Sequence, residues 1–426
     1  MKNEVKTSID GLDVGMYISR LDRPWIKTPF ALEGIKITSR DEITRVRKYC
    51  NYVYVDVEQG ASPDARYWIL TGVPSTANQG RAQSRVRTSR SGEKQEYRAL
   101  RKTTYRESET FKSEIKTASK ASHKLTKGYK KLLRDLETGR NLDLNTVETG
   151  ISYMVESVLR NPSAMMWIVQ LEKLDEYTYS RALGTSVWCA TFGRHLGLEK
   201  DAIRQLAMGG LLLDLGKSRL PVELLKKKGK LTEDELKIMY QHVDLGVKLL
   251  ASEKDTLKMK KLDMVVLQMV ATHHERADGS GYPQGLNIQN IPMFGRIAGI
   301  VDSYDAMTSV RPFLNAGPRT PHEVIAELYD LRGSKFQAEL VEQFIQTVGL
   351  YPTGSLVELN TGEVGAVVAI NGLHRLKPTV MLLLDEHKEP YTEFRHLNLS
   401  TVEGDVRVEK GLSPNAYGIN MTELFL

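Results

Sequence analysis

From residue 141 to residue 350 the apolar residues recur at helical spacing, and after Tyr351 the period falls to two. In the first helical segment Val147, Ile151, Met154, Val155 and Val158 fall at i, i+4, i+7, i+8 and i+11. A run of such segments must bury stripe against stripe, which is a helical bundle. The pattern predicts helices over 141–160, 163–174, 177–196, 200–215, 232–250 and 263–274, with later ones at 292–308, 321–331 and 338–348. Thr232–Glu235 and the Pro162-Ser163 pair read as helix starts. Beyond Tyr351, 355–359, 363–370 and 379–385 read as strands separated by Asn360-Thr361-Gly362 and Asn371-Gly372, a short antiparallel extension.

The first 140 residues are different in kind. Residues 1–60 alternate through 14–18 and 52–57 around a helix at 39–49, opened by Ser39 with Asp41 and Glu42 behind it. Residues 60–92 are rich in Ser, Gly, Arg and Thr and read as linker, and 93–137 read as a long amphipathic connecting helix. The reading is multi-domain and mainly α: a small N-terminal α+β domain over 1–60, a basic linker and helix over 61–140, a helical domain over 141–350 and a β extension over 351–426. The net charge of +6 has one source, because 81–140 holds 18 Lys and Arg against 7 Asp and Glu. Nucleic acid, anionic lipid or an acidic partner would have to bind there. Aromatics at stacking intervals are few in that stretch, which favours a solvated helix.

Several classes are excluded. A 41% hydrophobic and 26% charged composition is that of a globular chain. No run approaches 18 apolar residues, and the start lacks the apolar core of a secretion signal. Cys50 and Cys189 are too few for a disulfide framework, so the expected compartment is the reducing cytoplasm. Cys189 and the Met165-Met166-Trp167 cluster read as core.

The chemistry concentrates in few residues. Of nine histidines, His273 and His274 are adjacent and open the string HHERADGSGYP. Asp214 with Lys217 three residues on, then His242, precede them; Asp302 follows. Imidazole and carboxylate together suit Fe, Mn, Zn or Ni, and helices projecting such groups inward are how a bundle builds a metal site. The plain alternative is a set of satisfied core histidines, which adjacent histidines before a Gly- and Pro-rich turn make less economical.

The string resembles the signature of the HD-GYP family of HD-domain phosphohydrolases. The likeness continues through Ile291-Pro292, Arg296-Ile297, Asp302-Ser303-Tyr304-Asp305-Ala306 and Arg311-Pro312, and spans roughly 140–350. GMYISRLDRPWIKTPF near the N-terminus is similar to the DUF3391-type domain that often precedes such modules. The resemblance implies an all-α HD-domain bundle. It also implies hydrolysis of cyclic-di-GMP at a centre of two or three metals, or binding without turnover. Matched residue by residue, Asp214, His242, His273, His274 and Asp302 stand at metal-ligand positions. The family's HD pair is Leu213-Asp214 here, so its histidine is lost. An earlier ligand histidine is Arg181, and the glutamate of three-metal members is Tyr177. One ion position, Asp214 with three histidines, is complete; the neighbouring one keeps only Asp214 and Asp302.

The resemblance places Lys217 and Asp214 at the catalytic position and Arg181, Lys217, Arg311 and Tyr282 near the substrate phosphates. It gives the signature loop as Asp278, Gly279, Gly281, Tyr282 and Pro283, buttressed by Arg276 and Asp305. An inward Arg181 would give Asp214 and Asp302 a fixed cation in place of an ion; the alternatives are a solvent-facing Arg181, a snorkelling Lys217 and a helix-end Arg311. Two-metal hydrolysis needs both ions to clamp the phosphate and activate water. The expectation is therefore a degenerate member holding one divalent transition-metal ion, binding cyclic-di-GMP or a related nucleotide with lost or reduced phosphodiesterase activity. An active phosphodiesterase with an altered centre and a pure protein-interaction module are the alternatives. A GGDEF-type protein partner is implied by the family, and a homodimer is left open.

Overall fold

The computed structural model describes residues 4–419 except 24–27, 29, 31–33, 58, 65–66, 68–102, 141, 173–176, 253–261, 310–318, 372–375 and 414–415. Two units separate within it, one N-terminal and one from residue 92 onward.

The N-terminal unit is a four-stranded antiparallel sheet with one helix. Strands β1 (Glu4–Ser8), β2 (Tyr17–Leu21), β3 (Ile35–Lys36) and β4 (Tyr52–Asp56) lie in the order β1-β4-β2-β3. Helix α1 (Arg40–Tyr49) starts where Ser39 predicts, because Ser39 and Glu42 form a reciprocal capping box. Ile18, Ile37, Val46, Val53 and Val55 make the fully buried centre of its core.

The second unit opens with α2 (Phe111–Glu137), N-capped by Thr110. The amphipathic reading of 93–137 extends too far, since 103–110 are not helical. Nor is α2 solvated all round. Ala118, Ala121, Leu125 and Leu132 are buried, and a Cβ on Gly150 would lie 2.8 Å from the Leu125 Cα. Helix α2 therefore packs closely on α3 (Leu144–Arg160), while its lysines keep the outer face. Glu114 is buried at this contact, where Arg160 binds it with two bonds of 2.7 and 2.8 Å and Ser157 donates a third.

Helices α4 (Pro162–Glu172), α5 (Tyr177–His195), α6 (Lys200–Leu212), the short α7 (Val222–Leu225), α8 (Glu233–Tyr240), α9 (His242–Ser252), α10 (Leu262–Thr272), α11 (Met293–Thr308), α12 (Pro321–Asp330) and α13 (Ala338–Val348) complete the bundle. The apolar pattern over 232–250 reads as one helix; the structure breaks it at Gln241. Residues 215–219 form a 3-10 turn instead of continuing α6. Trp188 of α5 meets Tyr304 of α11 edge-on at 5.2 Å, and Phe344 of α13 closes the cluster. That contact sets the register between α5 and α11 that the candidate site needs.

Five antiparallel strands follow: β5 (Leu356–Leu359), β6 (Val364–Ala369), β7 (Thr379–Leu384), β8 (Pro390–Asn398) and β9 (Val408–Gly411), in the order β8-β7-β6-β5-β9. Trp167 and Leu171 of α4 pack on one face of this sheet. The fold is thus mainly α, with a small strand-containing N-terminal unit and a C-terminal sheet, as the two hydrophobic periods predict. No helix among the described residues is long and apolar enough to cross a membrane.

Candidate metal centre

Three chain segments bring four side chains together. Asp214 immediately precedes the 3-10 turn that follows α6. That turn lies against the start of α9, where a Cβ on Gly216 would fall 1.9 Å from the His242 carbonyl oxygen, so only glycine permits the approach. His242 is the first residue of α9, immediately past the break at Gln241. His273 and His274 follow the last residue of α10. One ligand atom from each of Asp214, His242, His273 and His274 lies within 4.8 Å of the other three.

The hydrogen bonds around this cluster define its polarity. His242 Nδ1 lies 2.7 Å from the Met239 carbonyl oxygen, and His273 Nδ1 lies 2.8 Å from that of Val270. A carbonyl only accepts, so each Nδ1 carries the proton and each Nε2 presents a lone pair to the cluster. Both Nε2 atoms are buried without a hydrogen-bond partner, and so is Asp214 Oδ1. His242 Nε2 lies 3.5 Å from Asp214 Oδ1, two acceptors facing each other. Burial pushes the His273 imidazole down to about 4, and it lowers His242 and His274 as well. All three are neutral at pH 7, so a shared proton does not resolve the conflict. Buried acceptors normally find a donor; three converging ones without a donor fit a cation. The residues present therefore fit a divalent ion of the kind that takes imidazole and carboxylate ligands.

Asp302 stands beside this group, outside the four. It lies on α11 and its Oδ1 accepts a hydrogen bond from an Arg181 terminal nitrogen of α5. Arg181 Nε also lies 3.7 Å from Asp214 Oδ2, which in turn accepts from Lys217 Nζ at 2.7 Å. Arg181 thus faces inward between the two carboxylates, its side chain 12% exposed and that of Asp302 6%. Burial opposes the charge on both acids, but Lys217 and Arg181 hold Asp214 well below the usual carboxylate range, and Arg181 lowers Asp302. Leu213 is 2% exposed and offers no ligand atom. One turn along, Thr185 donates to Asp305 at 3.3 Å, continuing the α5–α11 contact.

The signature loop is held from beneath. The buried Glu275 carboxylate accepts the Gln284 and Leu286 backbone N–H groups, each at 2.8 Å. Arg276 donates to the His273 and Glu275 carbonyls and stands over the Phe336 ring. Asp278 pairs with Lys335 at 2.9 Å and accepts from Ser280. Gly279 has φ of +78°, and a Cβ on Gly281 would lie 2.4 Å from the Arg276 nitrogen, so both glycines are required by the turn. The Tyr282-Pro283 bond is cis. The Tyr282 ring lies between those of Tyr240 and His274.

Of the five ligand positions read from the sequence, the structure gathers four and gives Asp302 to Arg181. Arg311 and Pro312 lie outside the described residues. Glu275, Tyr240 and Tyr129 carry weight that the sequence reading did not assign. Tyr129 of α2 is buried, its ring edge-on to Tyr179 at 6.3 Å, and burial followed by the Asp214 charge raises its phenol. No spacing rule links residue 129 to residue 214, so this electrostatic influence had no signal in the sequence.

Known proteins match this arrangement in three consecutive parts. A family model described as HD domain matches residues 164–340, one described as domain of unknown function DUF3391 matches 4–147, and one described as KOW domain associated with HD domain matches 356–417. The DUF3391 match thus runs through α2 to the start of α3. Among curated proteins, a cyclic di-GMP phosphodiesterase of Pseudomonas aeruginosa is 28% identical over 373 residues, 87% of this chain and 82% of that one. A cyclic di-GMP phosphodiesterase of Thermotoga maritima is 35% identical over 35% of this chain and 39% of its own. A 3'3'-cGAMP-specific phosphodiesterase of Vibrio cholerae is 34% identical over 38% and 30%. The HHERADGSGYP string and the gathered Asp214, His242, His273 and His274 fall inside the HD match, so residues 164–340 are an HD domain that resembles those of the HD-GYP family, preceded by a DUF3391-type region.

Proposed function

We propose that this protein binds cyclic-di-GMP, or a closely related cyclic dinucleotide, at a one-ion HD-GYP centre and hydrolyses it little or not at all. The observation that carries the reading is Arg181 between Asp302 and Asp214. In the family those carboxylates serve an ion; here a guanidinium neutralises them, and the two histidines that would complete the position are Arg181 and Leu213. Asp214, His242, His273 and His274 would hold the remaining ion, with Fe, Mn, Zn and Ni all compatible with the ligand set. When bound, such an ion supplies Lewis acidity toward a phosphoryl oxygen. Lys217 and Arg181 would orient the phosphate, with Tyr282 and Arg311 as further contacts, and Asp278, Gly279, Gly281, Tyr282 and Pro283 would shape the rim. Water activation is weak because the chain offers one complete ion position where the family uses two. The curated names of its relatives support the nucleotide class. The same reading includes action in the cytoplasm and contact with a GGDEF-type partner through the loop.

A second reading has its own support. The four gathered ligand residues and Lys217 are what an active phosphodiesterase with an altered centre would retain. Restoring both histidines, Arg181→His with Leu213→His, separates the two. The expected outcome is a second bound ion and a gain of cyclic-di-GMP hydrolysis over the wild type. A double variant with unchanged ion content and unchanged turnover would contradict the proposal.

A further inference from the structure

The three histidines of the cluster are not held in the same way. His242 and His273 are oriented by their Nδ1 bonds to Met239 and Val270. His274 has no such carbonyl among the described residues. Its ring is instead set between two others: His273 at 4.0 Å between centroids, and Tyr282 stacked at 4.5 Å with an interplanar angle of 28°. Tyr282 sits on a glycine-rich loop and is itself backed by Tyr240, at 3.8 Å and 19°, the closest and most parallel pair of the column.

Tyr240 is the last residue of α8, and this helix end acts on two ligands. The Met239 carbonyl fixes His242 directly. One residue later, Tyr240 presses Tyr282 onto His274. The sequence secures this helix end by capping its other end. Thr232 and Glu235 form a capping box, and Lys227 pairs with Glu235. Tyr240 is 36% exposed, so its ring is not there to fill a core.

We infer that Tyr240, acting through Tyr282, is a positioning residue for His274: the Tyr240–Tyr282–His274 column does for the third imidazole what a backbone carbonyl does for the other two. Groups that orient a metal-ligating imidazole matter for affinity, and losing one typically costs 10–100-fold. Stacking holds a ring plane but not its rotation within the plane, so the expected loss lies at the lower end. The inference rests on the cluster's binding a divalent ion as proposed above.

The test is Co²⁺ titration of the full-length metal-free chain, followed by its visible ligand-field spectrum, with chelator-driven release as a second readout. Tyr240→Ala should weaken Co²⁺ binding about tenfold, speed release by a similar factor and change the spectrum. Its metal-free thermal midpoint should stay at the wild-type value. Tyr240→Phe, which keeps the ring, should restore affinity and spectrum. Tyr240→Ala within twofold of wild type, with wild-type binding intact, overturns the inference alone. Tyr240→Phe as weak as Tyr240→Ala also overturns it, because the hydroxyl and not the stack would then matter. A wild-type chain that takes up no Co²⁺ overturns the metal reading and this inference together.

Discussion

Replacing Arg181 by Met removes the charge at the centre while keeping most of the volume. The cost follows from what is left behind. Asp302 loses the partner that binds its Oδ1, and at 6% exposure water reaches it poorly. Removing one member of a buried pair costs roughly 3–5 kcal/mol. Asp214 adds little to this, because it is 24% exposed and keeps Lys217 at 2.7 Å. The expected loss in the metal-free protein is therefore about 3 kcal/mol, the lower end of that range. Urea unfolding measures it. Asp302→Asn should cost less, because Arg181 keeps Asp214 at 3.7 Å, and the double variant should cost less than the sum of the two, with a coupling of about 2 kcal/mol. A single-variant loss below about 1 kcal/mol with additive behaviour in the double variant would refute the claim that Arg181 balances a buried carboxylate.

Two further outcomes are expected away from the ion position. Glu275→Gln places an amide where the carboxylate accepts the Gln284 and Leu286 N–H groups; one contact becomes donor against donor, at a local cost of about 1–3 kcal/mol, so those two amides should exchange hydrogen faster, and unchanged exchange would refute the anchoring role. Glu114 is held below its ordinary 4.5: burial works against ionisation, and the bonds from Arg160 and Ser157 outweigh it. Its contribution is therefore fully present above pH 4.5 and is lost as pH falls through the lowered folded value. Glu114→Gln should be less stable than wild type at pH 7 and converge on it in acid, and a gap that stays constant across that window would contradict the assignment.

Most helical spans from 144 to 348 were legible because apolar residues recur at helical spacing, although some, such as α5 with 182–193 all buried, are covered on every face. The break at Gln241 was not, since apolar residues on both sides keep the helical period while the chain turns. Strands β1, β3, β8 and β9, the four sheet edges, escaped for another reason. β8 is polar or exposed at most positions, because an edge strand with little cover on either face has no alternation to read. At the site, the four gathered ligands were legible through the HHERADGSGYP string and its resemblance. The roles of Glu275 and Tyr240 were not, because each acts on backbone or ring planes that only the folded loop brings within reach. Arg181 lies between these cases: its identity at a histidine position suggested an inward charge, and the packing of Trp188 on Tyr304 supplies the register that turns it toward Asp302.

The most direct test of the account is ion content and turnover measured on one preparation. Metal-loaded full-length protein is analysed for divalent ions per chain and assayed for cyclic-di-GMP hydrolysis beside His273→Ala. The account predicts no more than one ion per chain, lost in His273→Ala, with hydrolysis absent or strongly reduced. Two ions per chain with substantial turnover that His273→Ala abolishes would contradict it.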